Sequence, residues 1–304
     1  MANSGGVHIR DVACRMRCCF YGSSLSAPTE TAVSFVCQDE RLTGILHRPA
    51  QPAAVGVVIV VGGPQYRIGS HRQFVLLARH LAQHGVAVLR FDYRGMGDAS
   101  GEQRDFEQVS DDIRCAVDLL MTEQPTVKEC ILWGLCDGAS AATFYAQHDS
   151  RVTGLVLLNP WVRTTQTQAQ THLKHYYRQR LMDAEFWRKL FNNRLQLAAV
   201  TRSLIEQCKQ AFKKPTAGPQ LPERVLDSLQ LFSGNVLIIL SGNDLTAKEF
   251  IVVADSSDQW RALLKQARVC QKVLPLADHT FSSKVWRDQV AGWTSEWICL
   301  KKIK

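Results

Sequence analysis

The chain has 304 residues, of which 46% are hydrophobic and 21% charged. That is enough apolar material for one large core and too much for a wholly disordered chain. No run approaches the roughly 20 apolar residues that cross a bilayer, so no membrane span is expected.

The ten cysteines form no regular framework and include no zinc-type Cys-x-x-Cys pair. They read as free thiols in a reducing, cytoplasmic setting, with no metal and no cofactor implied. Residues 1–30 contain Arg10, Asp11, Arg15 and Arg17 and lack an unbroken apolar stretch. They are expected to be a flexible tail rather than a signal peptide. The net charge is +8. Residues 162–214 carry eleven Lys or Arg against three Asp or Glu, an excess that equals that of the whole chain.

In chain order, Thr31 to Pro49 reads as two strands with a turn at Asp39-Glu40. Val55 to Val61 is a β-branched run suited to a strand buried on both faces. Helical spacing runs from Phe74 to Gln83 and ends at Gly85. Val86 to Phe91 is a strand, Asp111 to Met121 a helix, Cys130 to Trp133 a strand, Ala139 to Gln147 a helix, and Val152 to Leu158 a strand. The alternation then stops. Residues 162–230 carry helical patterns only and are expected to be a lid inserted into a core of residues 31–161 and 231–304. Val236 to Leu240 resumes the sheet, Ser257 to Ala267 is helical, Val269 to Leu274 is a last strand, and Ser283 to Leu300 a closing helix. This order predicts an α/β fold with a mostly parallel sheet covered by helices on both faces.

The strongest chemical signal is Trp133-Gly134-Leu135-Cys136-Asp137-Gly138-Ala139. A buried strand runs into Gly-x-Cys-x-Gly and then into a helix of small residues. This is the nucleophile elbow of α/β hydrolases, with cysteine where serine is usual. The turn is so sharp that side chains two residues either side of the nucleophile would collide. The helix that follows aims its N-terminal dipole at the thiol. Asp244 after strand Val236 to Leu240, and His279 after the last strand, complete the order nucleophile, acid, histidine. Both lie just past the C-terminal ends of strands, where open α/β sheets build their sites. His279 would take the thiol proton and Asp244 would orient the imidazole.

Two backbone N–H groups are needed for an oxyanion. Asp137, next after the cysteine, supplies one. The loop Gly62-Gly63-Pro64-Gln65 supplies the other; Pro64 has no N–H, so Gly63 is preferred and Gln65 is second. Gln65, His71, Arg178, Arg180 and Arg188 are candidate substrate contacts. The arginines belong to the basic insertion, which would favour an anionic substrate. Asp92 and Arg94, in Asp92-Tyr93-Arg94-Gly95-Met96-Gly97, read as braces of a tight loop.

Together GGPQYRIGSHRQF, RFDYRGMGDASG, WGLCDGASAA, LVLLNPWVRT, LSGNDLTAKEF and ADHTFSS resemble the first of the two α/β hydrolases associated with bacterial exosortase A systems, over roughly residues 31–300. The resemblance implies a gene near exopolysaccharide loci and a triad on Cys136, Asp244 and His279. It names no substrate. The leading expectation is a hydrolase of an ester or thioester, acting on a small-molecule or acyl-carrier substrate and not on nucleic acid. An acyltransferase using the same cysteine is the alternative, an arrangement that polyhydroxyalkanoate synthases resemble. A third possibility is a binding protein that kept the fold without catalysis.

Overall fold

The computed structural model describes residues 27–63, 65–163 and 219–301. Arg178, Arg180, Arg188 and most of the expected tail and insertion lie outside the described residues.

Eight strands form one sheet in the order β1-β2-β4-β3-β5-β6-β7-β8. They are β1 (Thr29–Cys37), β2 (Glu40–Arg48), β3 (Val55–Val60), β4 (Ala87–Asp92), β5 (Glu129–Leu135), β6 (Val152–Leu158), β7 (Asn235–Ser241) and β8 (Val269–Leu274). From β4 to β8 every neighbouring pair is parallel, whereas β2 runs antiparallel to both β1 and β4. The uninterrupted apolar runs are explained by position. Every residue of β3 and β4 is buried, as strands covered on both faces require. β1, at the edge, alternates toward solvent and needs no such run.

Among the described residues the α-helices are α1 (Gln73–Gln83), α2 (Ser110–Glu123), α3 (Asp137–Ala146), α4 (Leu221–Leu231), α5 (Leu245–Ser256), α6 (Asp258–Leu264) and α7 (Lys284–Lys301). The step from β3 to β4 and the step from β4 to β5 run in opposite directions across the sheet. Right-handed crossovers therefore put α1 and α2 on opposite faces. α1 packs with α7, while α2, α3, α4 and α6 form a contiguous layer.

Two elements differ from the expectation. The last turns of the expected insertion are the helix α4, whose Val225, Leu226 and Leu229 are buried as it packs against α3. α5 is also additional. Its run Ile251-Val252-Val253 is β-branched and, after the aromatic Phe250, carries no clear helical stripe, so local propensity argues against it. What starts it is a cap: Asp244 Oδ2 accepts the N–H of Ala247 at 2.9 Å.

Candidate active site

Strand β5 delivers Cys136 at its C-terminal end, between two buried neighbours on the sheet. Cys136 adopts φ 61° and ψ −126°, a conformation that non-glycine residues hold only when their surroundings enforce it. The enforcement is visible. Its N–H donates to Leu158 O at 2.9 Å, and its carbonyl accepts from Ala139 and Trp161 at 3.1 and 3.2 Å. The flanking glycines follow from the same turn. A Cβ at Gly134 would lie 2.4 Å from Gly138 O, and one at Gly138 would lie 2.6 Å from Val60 O.

β7 ends at Ser241, and the turn after it presents Asp244. β8 ends at Leu274, and its loop presents His279. Asn243 N–H donates to Ala277 O at 3.0 Å, which ties the two loops together. His279 Nδ1 lies 3.1 Å from Asp244 Oδ1, an ion-pair approach whose N–H is bent away from ideal alignment. On its other side His279 shares the cavity wall with Cys136, which also favours the charged imidazole. The structure thus brings Cys136, His279 and Asp244 together in the expected order.

The electrostatics follow from these contacts. Asp244 first, and Cys136 second, favour the charged imidazole and push His279 up to about 10 against the opposing effect of burial. His279 therefore carries its proton at neutral pH. Burial works against the ionised Asp244, but His279 and the N–H groups of Ala247 and Thr246 prevail and hold its carboxyl below the ordinary range. Asp278, the neighbouring acid, is engaged elsewhere: its Oδ1 accepts the N–H of Ser282 at 2.9 Å and shapes the loop.

A cavity of about 520 Å³ opens at the sulfur. Among the described residues its walls include Phe74, Phe106, Leu135 and Trp161, with Gly63, Gln65, Asp137 and His279 toward the chemistry. Gln65 also accepts the N–H of Ser70 at 3.1 Å. His71 is different. It is exposed, stands in the left-handed region at φ 53° on a short 3-10 turn, and is not among the cavity's lining residues. Among the described residues His71 thus stands at the start of the turn that leads into α1 rather than on the cavity wall.

One residue of the site was not assigned from the sequence. Asn159, fully buried at the end of β6, donates to Ser241 Oγ at 2.8 Å and to His279 O at 3.0 Å, and accepts the N–H of Ser241 at 2.9 Å. It fixes the histidine loop against β7. Its signal was a polar residue closing an apolar strand, directly before Pro160. The expected loop brace is present as well. Asp92 accepts N–H bonds from Arg67 and Asp98, and Arg94 grips Asp112 through N, Nε and Nη2 at 2.8–2.9 Å.

Residues 52–244 match the model of the family described as serine aminopeptidase, S33. Among curated proteins, the chain is 33% identical over 94 residues to polyketide transferase grgF from Penicillium sp.. It is 24% identical over 135 residues to the quorum-quenching protein AidA of Acinetobacter baumannii. The matches span 32% and 43% of those relatives' lengths. Among solved structures, the esterase Pf2001 of Pyrococcus furiosus is similar at a TM-score of 0.61 and 16% identity, over 89% of this chain and 90% of that one. A dienelactone hydrolase from Anabaena variabilis gives 0.59 and 18%, over 90% and 98%. These structural likenesses speak for the fold. With the family model covering well over half of its length, the chain belongs to the serine aminopeptidase S33 family and has the α/β-hydrolase fold.

Proposed function

We propose that the protein cleaves an ester or thioester through a covalent acyl-enzyme on Cys136. The observation that carries this reading is the contact chain from Asp244 to His279 to Cys136, at the mouth of a largely apolar cavity. Cys136 Sγ, its proton transferred to His279, adds to the substrate carbonyl. The N–H groups of Gly63 and Asp137 receive the oxyanion. His279 then gives the proton to the departing oxygen or sulfur, and the carbon–sulfur bond of the acyl-enzyme is complete. Water, deprotonated by the now neutral His279, releases the acid and restores the thiol. An imidazole that holds its proton at neutral pH suits a thiol nucleophile, because it is ready to donate to the leaving group.

The apolar walls support an acyl group in the cavity. The motif wording shared with exosortase-associated hydrolases supports a cytoplasmic role beside exopolysaccharide production. The basic insertion would then select an anionic or carrier-borne substrate.

Acyl transfer to an alcohol is the second reading, favoured by the partial likeness to a polyketide transferase. The test is turnover of a panel of p-nitrophenyl esters and acyl thioesters by wild type and Cys136→Ala. Cleavage that falls to background in the alanine variant is expected. Full activity without the thiol refutes the assignment, and product analysis with added alcohols separates hydrolysis from transfer. A wild type inert toward every substrate, with an ordinary unactivated thiol, would instead fit the binding-protein alternative.

A further inference from the structure

The oxyanion donors assigned above face a carboxylate. Gly138 N–H donates to Asp137 Oδ1 at 3.0 Å, and the backbone N–H groups of Gly63 and of Asp137 itself favour the charged form of the same carboxylate. It also lies against Gly62, where a Cβ would come within 2.3 Å of Oδ1. An anion made by the protein itself stands where the substrate's developing anion needs to be. Burial pushes this carboxyl above the ordinary range against the opposing effect of the nearby N–H groups.

Asp137 has somewhere else to go. It stands between the cavity at Cys136 and a second chamber of about 410 Å³, whose walls include Tyr93, Gln103, Arg104 and Asp105. In that direction Arg104 Nε is buried with no hydrogen-bond partner among the described residues. A buried guanidinium nitrogen without an acceptor is costly, and a carboxylate turning into the chamber would supply one. Asp105 and Tyr93 oppose the move, the first by like charge and the second by crowding the same wall; Cys136 and His279 stay on the other side.

We propose that Asp137 is a displaceable occupant of the oxyanion hole: it must swing out, toward Arg104, before a carbonyl can be attacked. This inference rests on the assignment of Cys136 as nucleophile. It makes Asp137 a specificity-determining residue. A substrate whose binding forces the carboxylate out is turned over fast, and a small ester, which must wait for the carboxylate to swing out by itself, is turned over slowly.

A double-mutant cycle on acylation of Cys136 tests the idea, with p-nitrophenyl acetate in single-turnover mode. Asp137→Ala is expected to acylate about tenfold faster than wild type, since it frees donors that are worth far more than that in a transition state. Arg104→Gln, which removes the receiving group, is expected to slow acylation severalfold in wild type and to have no effect in the Asp137→Ala background. Alkylation by iodoacetamide at a pH where the thiolate is fully formed needs no oxyanion hole, so equal rates in all four proteins show that the fold and thiol are intact. If wild type is acylated and Asp137→Ala is no faster, or Arg104→Gln slows both backgrounds alike, the occupant is refuted and the nucleophile stands. If neither wild type nor Asp137→Ala acylates Cys136 while alkylation proceeds, the nucleophile assignment falls and takes the occupant with it.

Discussion

Replacing Asp244 by Asn isolates the charge of the acid from its structural work. In the native chain one carboxylate does two things. Oδ1 faces His279 Nδ1 at 3.1 Å, and Oδ2 caps α5 through Ala247 N–H at 2.9 Å. Asn keeps an acceptor for the cap but gives up the charge. Raising an imidazole from 6.5 to about 10 corresponds to a preference for the protonated form on the order of 5 kcal/mol. Cys136 accounts for part of that, and His279 is 34% exposed, so solvent screening cuts the share of Asp244 to about 2 kcal/mol of folding stability. The signs of the two partners set the window. His279, raised, stabilises fully below its unfolded value near 6.5, and this is lost as pH climbs through about 10. Asp244, lowered, stabilises above its unfolded value near 3.8, and this is lost as pH falls through its folded value. Urea unfolding of wild type and Asp244→Asn should therefore differ by about 2 kcal/mol near pH 5–6, with the gap closing by pH 10.5. In the variant the imidazole should titrate at least one unit lower by NMR, and kcat/KM should fall about 10²-fold or more. A stability gap that is the same at pH 6 and pH 10.5 would mean that Asp244 acts only as a helix cap, and the reasoning would fail.

Other residues give equally direct outcomes. Asn159→Ala strips Ser241 N–H and His279 O of their shared partner in a fully buried place; a loss of about 3 kcal/mol is expected in urea unfolding. Since Asn159 acts through the histidine loop, kcat should drop with KM little changed, and a change confined to KM would contradict that role. Gly62→Ala sets a Cβ within 2.3–2.6 Å of Asp137 Oδ1, Leu135 O and Gly138 N. Because two of these are backbone atoms of the elbow, calorimetry should show roughly 3 kcal/mol of destabilisation and acylation should be lost. An alanine variant as stable and as active as wild type would show that the elbow is looser than its contacts imply.

Much of this was legible in the sequence, and for identifiable reasons. Strands buried on both faces must be continuously apolar, so β3, β4, β6 and β7 announced themselves. The elbow was legible because its glycines are forced by backbone contacts that no other residue satisfies. The acid and histidine followed from their places after strands. Less legible was whatever depends on tertiary context. α5 is started by a capping acid and held by its neighbours rather than by its own periodicity. α4 has an ordinary amphipathic pattern, and that its apolar face meets α3 is a tertiary fact the pattern does not carry. That His71 is exposed follows from the left-handed backbone at His71 and Arg72, which residue types alone do not announce. Asn159 looked like a strand end; that its amide reaches two other loops is a fact of three dimensions. The carboxylate of Asp137 is the clearest case. Its N–H was read from the motif, while the direction of its side chain was not.

The central claim is that Cys136 forms a covalent acyl intermediate, and intact-mass spectrometry reads it most directly. The protein is mixed with a p-nitrophenyl ester, quenched in acid within one turnover, weighed, and mapped by proteolysis. The account predicts a mass increase of one acyl group, located on the peptide carrying Cys136, absent from Cys136→Ala, and removed by hydroxylamine as a thioester should be. Product release without any acyl adduct, or an adduct that persists in Cys136→Ala on another residue, would contradict it.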